Sequence, residues 1–282
     1  MDFKNFFHVL NPSSHQKENV RHFIEKNPEL RSAWVERTSH PTHLETILNW
    51  TLVEGIQNVA LWGGDGTYNR VIQFYYEQKV LDKVILMLIP AGTCNDFYRK
   101  NFKSEGRERS DLYDLGVLEF GSQKRIFLNN AGFGRTPSAI KKKKSHPILD
   151  VLSLTNKHIT VEWNRQSVSL DVLLAVVCNS PFFNCGLHFQ SIADPQDGKL
   201  NAYFEQTHSK IALLWKLMRG HHGQPLMDSH TTIVNSDRIR VSSDTLVYPQ
   251  VDGELVTSEG IKKMMFTLES KVVRLCLAER PK

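Results

Sequence analysis

Five consecutive residues, Gly63-Gly64-Asp65-Gly66-Thr67, combine three glycines, a carboxylate and a hydroxyl. Glycine lets a backbone turn tightly and come close to a ligand. A helix that begins just after such a turn offers unpaired N–H groups to an anion. A carboxylate inside the turn would repel a bare phosphate, so a metal ion between the two is implied, and the segment points to Mg²⁺·nucleotide chemistry. A second acidic pair, Asp252 and Glu254, flanks Gly253. In an extended strand, residues two apart lean to one face, so this pair could act together on one proton. Taken alone, the same tripeptide is more often a surface turn.

The surrounding sequence supplies the elements that would position these groups. Val59-Ala60-Leu61-Trp62 reads as a buried strand before the glycine turn, and Tyr68 to Phe74 has helical spacing after it. Phe6 to Leu10, the weaker Ala33 to Thr38 and the unbroken apolar run Val84 to Ile89 read as further strands, with a helix over Thr42 to Val53. Continuous apolar runs separated by helices predict a parallel sheet covered on both faces, with ligand at the carboxyl ends of its strands. Pro90-Ala91-Gly92-Thr93 then turns into a short helix at Asn95. Beyond about Gly116 the rhythm changes to short β-rich stretches: Arg125 to Asn129, Ile159 to Trp163, Val168 to Val177, Leu200 to Phe204, Ile239 to Ser242 and Val272 to Leu277. One helix, Ser209 to Met218, interrupts them. The predicted fold is α/β plus all-β: a doubly wound α/β domain over residues 1–125 and an antiparallel β-sandwich over 126–282.

Composition narrows the class. The chain has 282 residues, 40% hydrophobic and 23% charged, which describes an ordinary globular protein. No window is long and apolar enough for a membrane span, and the first residues lack the apolar core of a signal peptide, so a cytoplasmic location is expected. Cys94, Cys178, Cys185 and Cys276 form no CxxC pair and indicate neither a zinc site nor a disulfide framework. The net charge of +5 is partly gathered in Lys141-Lys142-Lys143-Lys144, behind Arg135. That run is either a solvated loop or an attraction to an anionic membrane surface. Nucleic acid is disfavoured, because aromatic residues are not interleaved with the basic ones.

Read in order, Asn11-Pro12-Ser13-Ser14, Gly63 to Asn69, Pro90-Ala91-Gly92-Thr93-Cys94-Asn95-Asp96-Phe97, Asp194 to Leu200 and Val251-Asp252-Gly253-Glu254 make a set that closely resembles the diacylglycerol kinase catalytic-domain family, in particular its bacterial soluble lipid kinases. NAD kinases and phosphofructokinases carry relatives of the glycine turn alone; the GT-x-NDF turn and the late DGE are more specific. The resemblance implies a nucleotide domain, a β-sandwich, an active site in a cleft between them, and a last strand that returns to the first domain. It implies transfer of the γ-phosphoryl group of ATP, with Mg²⁺, to a lipid hydroxyl.

Carried over position by position, the resemblance assigns the ATP site to Asn11, Thr38, Gly64, Asp65, Gly66, Thr67, Tyr68, Asn69, Arg70 and Thr93, with Asp96. Asp65, Asp96 and Asp114 become the acidic group that holds catalytic Mg²⁺. Asp194, Asp197 and the Lys199 carbonyl become a second cation site. Glu254, with Asp252 close behind, becomes the base that accepts the acceptor's proton. Ordinary structural alternatives stand beside several of these: a strand end for Thr38, a helix-start charge for Asp96, a turn residue for Asp114, and a plain hairpin turn for Asp194 to Gly198. The sequence departs from the family pattern at His15, Arg70, Cys94 and Arg135-Thr136, the last of these in the region that shapes the acceptor pocket. The expected partner is a lipid substrate reached by peripheral contact with the membrane, with a homodimer left open. Alternatives are a sphingoid-type acceptor, NAD as acceptor, and a non-catalytic nucleotide-binding regulator.

Overall fold

The computed structural model describes residues 3–11, 18–26, 30, 35–38, 41–101, 110–137, 140, 147–183, 187–188, 193–221 and 226–278. Of the segments singled out above, Pro12 to His15, Ala33-Trp34, Lys141 to Lys144 and Cys185 lie outside these residues. The chain divides into two compact units, residues 1–113 with 271–282, and residues 114–270.

The first unit contains β1 (Phe7–Leu10), α1 (Glu18–Lys26), β2 (Val35–Arg37), α2 (Pro41–Val53), β3 (Asn58–Gly63), α3 (Asp65–Glu77), β4 (Ile85–Pro90) and α4 (Asp96–Asn101). In chain order there follow β5 (Asp111–Phe120), β6 (Gln123–Phe127), β7 (Asn130–Phe133), α5 (Pro147–Leu152), β8 (Lys157–Trp163), β9 (Gln166–Val172), β10 (Leu174–Cys178), β11 (Phe182–Phe183), β12 (Leu187–His188), β13 (Leu200–Glu205), α6 (Lys210–His221), β14 (Thr231–Ser236), β15 (Arg238–Val247), β16 (Gln250–Val251), β17 (Glu254–Leu255) and β18 (Ile261–Leu277).

In the first unit β1 pairs in parallel with both β2 and β3, and β3 with β4. The end of β18 completes the sheet, Arg274 to Leu277 lying parallel to Ile85 to Leu88. Because β1 lies between β2 and β3, the chain reverses its direction of winding there, and the carboxyl ends of β1 and β3 face a common crevice, the usual ligand position in such sheets. The strands are buried almost end to end, which explains their unalternating apolar sequences. Trp62 lies in the core, and its Nε1–H donates to Nδ1 of the buried His8 at 2.9 Å. Tyr98 donates its hydroxyl to the Ala278 carbonyl at 2.6 Å, fastening the returning strand to α4.

The second unit is a β-sandwich. One sheet runs β14-β13-β10-β7-β16-β17, antiparallel wherever its register is resolved. Facing it, β15 pairs with β8 and with the first part of β18, and β8 with β9. Phe127, Phe133, Ile159, Val161, Phe204, Val241 and Phe266 from the two layers share one buried core. The sequence reading of Val168 to Val177 as one strand is corrected here: β9 belongs to one sheet and β10 to the other. The chain changes layer at Leu173, whose N–H donates to the Glu205 carbonyl at 2.8 Å. Alternation cannot report such a switch. β5 was not expected at all, and the unit boundary falls inside it, at Tyr113/Asp114 and not at residue 125. Charged residues and Gly116 hide β5 from strand propensity, although six consecutive positions from Tyr113 to Leu118 are buried.

Among the described residues no helix is long and apolar enough to cross a membrane. Cys178 and Cys276 are buried free thiols.

Candidate active site

In the first unit, the three strand ends at the crevice carry the two glycine turns and Asn11. Asn11 follows β1, and its Nδ2 donates to Thr67 Oγ1 at 2.9 Å. The Gly63–Thr67 turn and the Gly92–Asp96 turn are knitted backbone to backbone. The Gly63 carbonyl accepts the N–H groups of Ala91 and Gly92, both at 2.8 Å, and the Tyr68 hydroxyl at 3.0 Å. A Cβ on Gly92 would overlap Gly64 Cα, and one on Gly64 would come within 2.9 Å of Gly92 Cα. Only glycine at both positions allows this approach.

Asn95 holds the second turn from inside. It is buried with φ +53°, its Oδ1 accepts from Gly92 N at 3.1 Å, and its Nδ2 donates to the Gly92 carbonyl at 3.1 Å. Asp65 bridges the turns: Oδ2 accepts from Asp96 N at 2.9 Å and Oδ1 from Phe97 N at 3.1 Å. It therefore caps α4 from the first residue of α3. The charge that seemed to require a metal already meets two backbone donors.

At the start of α3 no side chain caps the helix, and the Thr67 and Tyr68 N–H groups both turn back to the Gly64 carbonyl. Gly66, Arg70 and Thr93 are exposed, and Asp65, Gly64 and Thr67 are half-buried. These are placed to meet a ligand. Tyr68 is not: its ring is fully buried, and its hydroxyl serves the Gly63 carbonyl. Burial, reinforced by Asp65, pushes that hydroxyl's pKa well up. Asn69 is likewise buried, and the Thr38 hydroxyl is spent on the Leu10 carbonyl at 3.1 Å, as a strand-end residue would be.

In the second unit the Asp252-Gly253 pair is a hairpin turn, with φ +44° and +87°, joining β16 to β17. Asp-Gly is the favoured dipeptide for a two-residue turn with both φ values positive. The expectation that Asp252 and Glu254 share one face of a strand is therefore corrected. Asp252 is a backbone clamp: Oδ2 accepts from Leu128 N at 2.9 Å, and Oδ1 from Asn129 N at 2.9 Å and Asn130 N at 3.0 Å. Its own N–H donates to the Asn130 carbonyl at 2.9 Å. Glu254, on the far side of the turn, is exposed.

Beneath the hairpin lies a polar frame. Gln250 accepts from Gly253 N at 2.6 Å and donates to Asn130 Oδ1 at 2.9 Å. The buried Asn179 donates from Nδ2 to the carbonyls of Asp114, at 3.0 Å, and Leu128, at 2.9 Å. Sequence reasoning passed over Gln250 and Asn179. The Asp-Gly dipeptide was the available signal for the turn, while nothing local marked Asn179.

The acids group differently from the expectation. Asp114 is fully buried in β5, not in a turn, and it joins the Asp194–Lys199 loop. Its Oδ2 accepts from Gly198 N at 2.8 Å and its Oδ1 from the Ser270 hydroxyl at 3.0 Å, and its N–H donates to the Pro195 carbonyl at 2.7 Å. Asp194 and Asp197 are exposed, each accepting a backbone N–H from two residues on, Gln196 and Lys199. Burial pushes the Asp197 carboxyl up, and the neighbouring charges of Asp194 and Asp114 push it the same way.

Among the described residues no group of three or more His, Cys, Asp and Glu side chains is arranged to hold a metal by protein ligands alone. Mg²⁺ is commonly held by one or two carboxylates together with substrate phosphates and water. Asp65 and Asp96 are the carboxylates of the two glycine turns, the first half-buried and the second buried.

A parallel sheet with a glycine-lined crevice is the architecture of the first unit, and a β-sandwich that of the second. A model of the diacylglycerol kinase catalytic domain matches residues 5–113, and one of the YegS C-terminal NAD kinase beta sandwich-like domain matches residues 144–273. Together these matches set a region similar to the diacylglycerol kinase catalytic domain before one similar to the YegS C-terminal domain. It is 25% identical to "Putative lipid kinase YtlR" of Bacillus subtilis (strain 168), over 89% of this chain and 93% of that protein. The fold is that of a crystal structure of a diacylglycerol kinase from Bacillus anthracis str. Sterne, with TM-score 0.73, 16% identity and coverage of 98% of this chain and 97% of that one. A second structure, "A putative diacylglycerol kinase" from the same organism, gives TM-score 0.76 at 16% identity, covering 98% of each chain.

Proposed function

We propose that this protein is an ATP-dependent lipid kinase that transfers the γ-phosphoryl group to the hydroxyl of diacylglycerol or a similar lipid alcohol. The observation that carries the reading is the pair of knitted glycine turns at the strand ends, where Gly64 lies so close to Gly92 that neither position has room for a side chain. Such a surface lets phosphate oxygens approach backbone N–H groups and the start of α3. The match to the diacylglycerol kinase catalytic domain and the similarity to "Putative lipid kinase YtlR" support the acceptor class.

In this reading Asn11 orients the Thr67 hydroxyl toward the phosphates, and Gly64, Gly66, Arg70 and Thr93 line them. Tyr68 acts from behind by holding the turn, Thr38 holds the end of β1, and Asn69 lies buried behind the site. Asp65 and Asp96 would hold Mg²⁺, which supplies neutralisation of the charge that develops on the transferred group. Glu254 accepts the proton of the lipid hydroxyl, whose oxygen bonds to the γ-phosphorus as the bond to ADP breaks. Asp252 is a positioning residue: it pins the backbone of Leu128 to Asn130 and so sets the hairpin that presents Glu254. Asp194, Asp197 and the Lys199 carbonyl, steadied by Asp114, would take a second cation, which relieves the crowding of negative charge around Asp197.

The test is transfer of radiolabelled phosphate from Mg·ATP to diacylglycerol, monoacylglycerol, ceramide, sphingosine and phosphatidylglycerol in mixed micelles. Label confined to a glycerolipid is the expected result. Label in sphingosine alone would replace the acceptor class, and no label in any lipid with ATP still bound would overturn the lipid-kinase reading.

A further inference from the structure

Helix α6 is apolar on two faces. Ile211, Trp215 and Met218 are 67, 62 and 48% exposed, while Leu213 and the charged Lys216 are buried. The three exposed residues stand at i, i+4 and i+7, which makes one continuous stripe along the helix. The opposite face is fixed by an ion cluster: Lys216 Nζ donates to Glu205 Oε2 at 2.6 Å, Asp228 Oδ1 at 2.8 Å and Thr231 Oγ1 at 2.8 Å. Burying a paired charge gains little in stability, but it fixes the rotation of a helix. Here it holds the apolar stripe toward solvent.

Helix α5 extends the same surface. Leu213, Leu214 and Leu217 of α6 pack with Val151 and Leu154, and Lys210 Nζ donates to the Leu152 carbonyl at 2.7 Å. Ile148 and Leu152 of α5 remain exposed. The charged residues of α6 beside the stripe are basic, Lys210 and Arg219, and α5 carries one acid, Asp150.

We infer that the α5–α6 face is the surface by which this protein docks on an anionic lipid bilayer, with Trp215, Ile211 and Met218 entering the interface and the basic residues meeting the headgroups. A helix with an aromatic and aliphatic face bordered by lysine and arginine lies in the plane of such an interface, and juxtaposed basic residues add attraction that salt screens. The choice of a lipid bilayer rests on the proposed lipid-kinase function; the exposed stripe, flanked by Lys210 and Arg219, does not depend on it.

The experiment is co-flotation of the full chain with phosphatidylcholine vesicles containing or lacking phosphatidylglycerol. It compares the wild type with Ile211→Ser/Trp215→Ser/Met218→Ser, and with Trp215→Phe. The expected result is binding to the phosphatidylglycerol vesicles that weakens at high salt, falls by about tenfold or more in the triple variant and survives in Trp215→Phe. Turnover of a short-chain, monomeric diacylglycerol by the triple variant would stay at the wild-type rate. Equal vesicle binding by wild type and triple variant would overturn the inference. So would a dimer, seen in sedimentation, that the triple substitution converts to a monomer, because the stripe would then be an interface between two copies. Vesicle binding that depends on Trp215 in a protein without lipid phosphorylation would keep the docking surface and reject the kinase reading alone.

Discussion

Gly92→Ala is expected to lower phosphoryl transfer by about a hundredfold and to weaken ATP binding with it. The added Cβ would overlap Gly64 Cα, stand 2.9 Å from Gly64 N and 2.7 Å from Asn95 Oδ1. Two of these neighbours are backbone, so no rotamer change relieves the overlap, and the turns must part. Parting them breaks the Ala91 and Gly92 hydrogen bonds to the Gly63 carbonyl and shifts the Asp65 cap on α4. Two parts of the phosphate site move together for one methyl group. Calorimetric titration with ATP and initial-rate measurement check this; unchanged affinity and rate would show that the glycine contact does not shape the site.

Lys216→Ala is expected to cost the second unit about 3–5 kcal/mol, the range for removing one partner of a buried ion pair. Glu205 is fully buried, and it also accepts the Tyr203 hydroxyl at 2.5 Å and the Thr207 N–H at 3.1 Å. Without Lys216 its charge keeps only those two neutral donors. Asp228, half-exposed, can turn to water, so the penalty falls chiefly on Glu205. Burial, with the Glu205 charge beside it, already pushes the Tyr203 pKa strongly up. Replacing Lys216 and Glu205 together by leucine and glutamine should recover part of the loss, because no unpaired charge is then buried. Thermal unfolding of the single and double variants checks both statements; a single variant as stable as the wild type would contradict them.

Much of the first unit was legible in the sequence because its strands are buried on both faces and its turns carry glycine. Both features are local. The glycine turn, the Gly92 turn and Asn11 could be placed at strand ends from spacing alone, and the strand order brings those ends together. The sandwich was less legible. The change of sheet at Leu173 depends on a partner carbonyl on Glu205, and β5 conceals a buried carboxylate whose partners, Gly198 and Ser270, lie far away in sequence. Asp114 is the sharpest case: as a residue type it suggests a turn, and only three-dimensional pairing makes it an interior post. The division of labour between Asp252 and Glu254 was hidden for a similar reason. Identity and spacing made the two equivalent, whereas three backbone donors engage one of them. Helix α6 shows the same limit, since Ile211, Trp215 and Met218 are exposed while Lys216 is buried beside Leu213.

The central claim is that a lipid hydroxyl is phosphorylated with Glu254 as proton acceptor. Its most direct measurement is the rate of label transfer from ATP to diacylglycerol by the wild type and Glu254→Gln, with ATP affinity determined on the same samples. The predicted result is transfer by the wild type, a fall in kcat of about 10²–10⁴-fold in Glu254→Gln, and an unchanged Kd for ATP. Wild-type turnover by Glu254→Gln, or loss of ATP binding along with turnover, would contradict it.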